Sequence, residues 1–109
     1  MAGQLRKVVD ERHFLSEAKG GGLLRWEVWV DNSNRVTRYN IAYINPFLYA
    51  ADNGRVLGYD SAHGRHHRLF KGDLSEVDFR TFEEIEARFQ SEWRELIREA
   101  RNATSRDPD

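Results

Sequence analysis

Apolar and polar residues alternate along Arg25-Trp26-Glu27-Val28-Trp29-Val30-Asp31, with Trp26, Val28 and Val30 on one face and Glu27 and Trp29 on the other. A period of two marks a strand with one buried side. Asp31-Asn32-Ser33-Asn34 then supplies four turn formers in a row, and Arg35 to Ile44 resumes with β-branched and aromatic residues at Val36, Thr37, Tyr39, Ile41, Tyr43 and Ile44. These two segments predict an antiparallel hairpin. Asn53-Gly54 tolerates the positive φ angles of a type I′ turn, which predicts a second hairpin joining Phe47–Asp52 to Arg55–Asp60. Pairing outward from that turn sets Ala50 opposite Leu57 and Leu48 opposite Tyr59 on a buried face, leaving Tyr49 and Asp60 on the other. Upstream, Lys7 to Leu15 fits neither period cleanly and is read as a strand that turns back through Ala18-Lys19-Gly20-Gly21-Gly22.

The period changes after residue 80. Thr81-x-x-Glu84 forms a capping-box pattern, and Phe82, Ile85, Phe89, Trp93, Leu96, Ile97 and Ala100 follow at helical spacing to about Asn102. Glutamates fill the early turns and Arg94, Arg98 and Arg101 the last ones, as the helix dipole favours. A short strand is expected at Glu76–Phe79. The pattern therefore predicts an α+β fold: an antiparallel meander of four to five strands with one long C-terminal helix packed on the Leu48/Leu57 face. One domain is expected over 1–103, with 104–109 a disordered tail.

Composition narrows the function classes. A chain of 109 residues can build one modest core. Its 17 Lys and Arg against 18 Asp and Glu give a net charge of -1, so whole-protein charge argues for no nucleic-acid or membrane partner. The charge is unevenly spread, at +1 over 1–53, +3 over 54–72 and -5 over 73–109. The absence of cysteine removes disulfides and thiolate chemistry and fits a reducing cytoplasm. Apolar runs such as Phe47 to Ala51 fall far short of the ~20 residues of a membrane helix, and no apolar segment precedes Lys7 as a signal peptide requires. A soluble intracellular protein with no membrane partner is expected.

The positive segment also holds His63, His66 and His67, with Arg65, Arg68 and Lys71 interleaved. Three readings of this stretch compete. Histidines can serve as the acid and base of a metal-independent phosphodiester cleavage, with Arg65, Arg68 and Lys71 as phosphate clamps. Alternatively His63, His66, His67 and Asp60 could hold a transition metal, although adjacent residues of a strand point to opposite faces. In the third reading the histidines only shape a turn and the arginines are solvated or pair with the acidic helix. His13 reads as an ordinary strand histidine. Gly20-Gly21-Gly22 lacks dinucleotide-binding spacing. Trp29, on the face away from the first core, could stack on a base or bury in a partner chain.

The order of features resembles the TumE-like proteins, toxin components of bacterial type II toxin–antitoxin modules. The resemblance covers about residues 23 to 95 and rests on Arg38-Tyr39-Asn40-Ile41-Ala42-Tyr43-Ile44, on Arg55-Val56-Leu57-Gly58-Tyr59-Asp60-Ser61-Ala62-His63-Gly64, on His66-His67-Arg68 and Gly72, and on the helix entry Phe79-Arg80-Thr81-Phe82-Glu83. That family ends a strand in Tyr-Asp-Asn and follows it with His-Arg-His. Here Tyr59 and Asp60 match with Ser61 in place of Asn, and His67 and Arg68 match with Leu69 in place of the last His. The resemblance implies a growth-inhibiting cytoplasmic protein, partnered by an antitoxin that is often a helix-turn-helix protein. By analogy it implies action on RNA through the His/Arg-rich loop, with no cofactor. In that reading His67 and Arg68 lead the site, and His63, His66 and Asp60 support them, Asp60 by fixing a histidine tautomer. Arg65, Lys71 and Tyr59 contact the substrate. The alternative is a non-enzymatic interaction module, binding a partner or a second copy through the sheet face of Trp29 and Tyr49, with structural histidines.

Overall fold

The computed structural model describes residues 4–62 and 64–105, those at 19 and 103–105 by backbone alone. Six strands follow one another: β1 (Arg6–Phe14), β2 (Leu23–Val30), β3 (Val36–Ile44), β4 (Arg55–Ala62), β5 (Arg65–Phe70) and β6 (Asp73–Glu76). Each pairs antiparallel with its neighbours in the chain, so the sheet order is the sequence order and β1 and β6 are its edges. Helix α1 (Phe82–Ser105) lies across one face. The fold is α+β as expected, with six strands in place of four to five.

The alternation in β2 decides which face is covered. Leu24, Val28 and Val30 are buried beside Tyr39, Ile41 and Tyr43 of β3 and Leu57 and Tyr59 of β4. Ile85, Phe89, Leu96 and Ala100 of α1 close this core. Thr81 caps the helix by accepting from the Glu84 N–H at 3.2 Å. The helix continues through Ser105, so the first two residues of the expected tail are helical, and 106–109 lie outside the described residues.

The expected hairpin at Asn53-Gly54 does not form. Asn45 ends β3: its side-chain oxygen accepts from the Phe47 N–H at 3.0 Å, its backbone N–H reaches the Gly54 carbonyl at 2.7 Å, and Pro46 has no N–H for a ladder. Residues 46–54 are therefore a loop, and β3 pairs directly with β4, Ile41 opposite Tyr59 and Tyr43 opposite Leu57. Asn53 and Gly54 do take positive φ, 54° and 82°, but within a single 3₁₀ turn, Asp52–Gly54, at the loop's end. Leu57 and Tyr59 are buried as expected, whereas Leu48 is half-buried and Ala50 exposed. Tyr49 is on no strand, and its hydroxyl reaches the β5–β6 turn at Gly72.

The His/Arg-rich segment is likewise not a loop. β4 runs past Tyr59-Asp60 to Ala62 and returns as β5 after two residues, with Ala62 opposite Arg65. The short strand before the helix is Asp73–Glu76, earlier than expected.

Candidate functional site

The face opposite α1 carries a row of polar side chains, and two β-bulges place its cations. Val8 is an extra residue between Lys7, opposite Trp29, and Val9, opposite Val28. Val56 is an extra residue between Arg55, opposite Ile44, and Leu57, opposite Tyr43. A bulge shifts the alternation by one, so Lys7 and Arg55 are turned to the uncovered face that an unbroken strand would deny them.

Arg55 then lies over Gly58. A Cβ at position 58 would stand 2.7 Å from the Arg55 Nε, so the guanidinium fills the space a side chain would need. Arg55 Nη2 donates to the Asn40 Oδ1 at 3.0 Å and lies 3.6 Å from the Asp60 carboxylate. Asp60 is opposite His67 in register, with His67 Nδ1 3.6 Å from its other oxygen, an ion-pair distance longer than a hydrogen bond. Asn40 Nδ2 reaches Glu27 at 3.5 Å, and Glu27 pairs with Lys7 at 2.7 Å and Arg25 at 3.0 Å. The Lys7 hydrogen bond holds the buried Glu27 carboxyl below its ordinary pKa and raises that of Lys7. Trp29 has Lys7 Nζ 5.0 Å and Arg38 Cζ 4.7 Å from its ring centre. The Nε atoms of Arg25 and Arg55 are enclosed without a hydrogen-bond partner. A polar ribbon thus runs from β1 to β5, with Asp60 and His67 at its far end.

The covered face uses the remaining motif residues. Arg68, opposite Tyr59, donates to Glu92 of α1 through Nε at 3.1 Å and through Nη2, and its Nε also reaches the Tyr59 hydroxyl at 3.1 Å. Tyr59 donates to the same Glu92. Burial first, and the Glu92 hydrogen bond second, push the Tyr59 phenol up to about 12, so it stays protonated near neutrality. His66 stacks on Phe79 at 4.0 Å between ring centres and shares a 2.9 Å hydrogen bond with the Tyr39 hydroxyl. Burial, with neighbouring His67 as a second cause, lowers the His66 pKa. His66 also borders a cleft of about 370 Å³ with Leu5, Thr37, Arg38, Ser61, Ala62 and Gly64.

Of the expected site residues, Asp60 and His67 come together on the uncovered face. Tyr59, Arg68 and His66 are on the other side of the sheet, held by α1 and Phe79. Arg65 is exposed and pairs with Glu76 at 3.5 Å. Lys71 is in the β5–β6 turn at φ 46°, its Nζ 5.5 Å from the Phe70 ring centre. His63 lies outside the described residues. Among the described residues no three His, Asp or Glu side chains converge as metal ligands would, and no helix is long and apolar enough to cross a membrane. Sequence reading missed Arg55, Asn40, Glu27 and Glu92. The one sequence signal for Arg55 is Gly58 inside a strand, between Leu57 and Tyr59.

Compared with known proteins, the chain matches no family model, no curated protein and no solved structure.

Proposed function

We propose that this chain is the toxin component of a bacterial toxin–antitoxin module of the TumE-like kind, acting on RNA through the uncovered sheet face. One observation carries the reading: the two halves of the resemblance are cross-strand neighbours. Asp60 is opposite His67 and Tyr59 opposite Arg68, so the Tyr-Asp and His-Arg pairs form one unit of the β4–β5 hairpin. The inner pair anchors the hairpin to α1. The outer pair presents an imidazole beside a carboxylate, with the Arg55 guanidinium 3.6 Å from that carboxylate.

On this face His67 takes the proton of an RNA 2′-hydroxyl as that oxygen bonds to the adjacent phosphorus, while Asp60 biases the ring orientation. The bond to the 5′-oxygen breaks and that oxygen leaves with a proton from water, giving a 2′,3′-cyclic phosphate and a 5′-hydroxyl. Arg55 and Arg65 offset charge building on the phosphate. Trp29, three strands away and so roughly 14 Å across the sheet, supplies a stacking surface for a base farther along a single strand. Leu69, two residues after His67, shares this face and is opposite Gly58. It stands where the family has its second histidine, so the chain presents one imidazole where its relatives would present two. The protein works in the cytoplasm, is neutralised by a cognate antitoxin and needs no cofactor.

A second reading is favoured by the inner residues: Arg68 and His66 are both committed to internal contacts, as in an interaction module with structural histidines. Induced expression in a bacterial host separates the two. The RNA-directed reading predicts growth arrest with RNA cleavage, both lost in His67→Ala and Asp60→Asn while each variant keeps its melting temperature. Absence of arrest, or arrest that survives both substitutions, favours the interaction module.

A further inference from the structure

The two edges of the sheet differ in what they would do against a second copy of themselves. β6 is only four residues long and carries a carboxylate at each end, Asp73 and Glu76, so self-pairing would gather like charges along a very short seam. β1 is nine residues long and exposed along almost all of its length. It reads Arg6-Lys7-Val8-Val9-Asp10-Glu11, two cations, two valines and two carboxylates in order. Reversed against itself, this sequence is its own complement. Arg6 meets Glu11 of the second copy, Lys7 meets its Asp10, and Val8 meets its Val9.

Register makes this pairing possible only because of the Val8 bulge. Residues opposite one another in a sheet share a face, and in an unbroken strand positions 7 and 10 are on opposite faces. Here Lys7 is opposite Trp29 and Asp10 opposite Glu27, two steps apart on β2, so both are on the uncovered face, where they already form a 3.1 Å ion pair. Arg6 and Glu11, opposite Val30 and Trp26, share the covered face. Charges and a bulge often block an edge. On β1 the signs and the extra residue agree with a two-fold axis perpendicular to the sheet, as an isologous interface requires. Exposed Val8 and Leu5, at 48% and 42%, give the edge apolar area to bury.

We propose that β1 is a homodimerisation edge, through which two copies form a continuous twelve-stranded sheet with both helices on one side and both polar faces on the other. This is independent of what the polar face does.

The test uses the outer charge pair, whose present partners are the exposed groups Asn34 and His13. Arg6→Glu puts a carboxylate at both ends of the self-complementary segment 6–11, and Glu11→Arg puts a cation at both. Sedimentation of the wild-type chain should show a species of twice the 12.8 kDa chain mass, with a dissociation constant that rises with salt. Each single variant should dimerise roughly tenfold more weakly or worse. An equimolar mixture of the two should recover the dimer, because each variant complements the other. A wild-type chain monomeric up to about 100 µM, variants that dimerise as the wild type does, or a mixture that fails to recover would each overturn the proposal.

Discussion

Arg55 and Gly58 share one place on the sheet: the guanidinium of the first covers the backbone of the second so closely that a methyl group there would lie 2.7 Å from Nε. Gly58→Ala must therefore displace Arg55 from Asn40 and Asp60. The colliding group is the far end of a flexible side chain, so the stability cost should be small, about 1 kcal/mol or less. RNA cleavage should nevertheless fall, and a thermal melt alongside a cleavage assay checks the separation.

Arg68, Tyr59 and Glu92 join β4, β5 and α1 in one partly buried cluster. Arg68→Met leaves Glu92 without its cation, and Glu92→Gln removes the charge and replaces one of the two acceptor oxygens with a donor, so each should destabilise the fold by about 1–3 kcal/mol. Arg68→Lys keeps the charge but loses the fork that serves two acceptors, and should fall between. Urea denaturation measures all three.

His66 links stability to pH. Its folded pKa lies below the ordinary 6.5, burial being the main cause and His67 the second. The unfolded chain takes up this proton at higher pH than the folded chain does. The stabilisation is thus complete above about pH 6.5 and is lost as pH falls from there through the depressed folded value. Glu27, held below its ordinary 4.5, titrates in a lower window. His66→Gln keeps an acceptor for the Tyr39 hydroxyl, so the variant should be less stable near neutrality yet lose less stability between about pH 7 and pH 5. Denaturation midpoints across that range report the slope.

The β3–β4 loop depends on Asn45, which is 1% exposed. Its amide donates to the Gly20 carbonyl at 3.1 Å and the Tyr43 hydroxyl at 2.9 Å, and its oxygen caps Phe47. Asn45→Ala removes these contacts at once and should cost about 1–3 kcal/mol, read as a lowered urea midpoint.

What the sequence made legible follows its apolar periodicity. β2, β3 and α1 each bury one face, so their spacing announced them, down to Trp29 lying away from the core. β5 carries Arg65-His66-His67-Arg68, which has no apolar alternation, because its covered positions are filled by His66 and Arg68 and buried by α1 and Phe79. The local sign of the hairpin is Gly64, at φ 75° just before β5. Asn53-Gly54 misled because a local turn preference carries no register, and the neighbouring Asn45-Pro46 had already ended the ladder. The bulges at Val8 and Val56 depend on partner strands, so nothing local predicts that Lys7 joins the face of Asp60 and His67, and for Arg55 the local sign is Gly58 alone.

Leu69 offers a gain-of-function prediction. It shares the face of His67 and is opposite Gly58, so a histidine there would stand beside the existing one. Leu69→His should raise RNA cleavage about tenfold or more by supplying a second proton-transfer group. An initial-rate comparison with the wild type decides it.

The most direct measurement is cleavage of an end-labelled single-stranded RNA by the purified chain, with a chelator present, for the wild type, His67→Ala and His66→Gln. If the uncovered face acts on RNA, the wild type cleaves, His67→Ala loses about a hundredfold or more in rate, and folded His66→Gln retains most of it. Cleavage indifferent to His67, or no cleavage by any of the three, would contradict the assignment of RNA chemistry to this face.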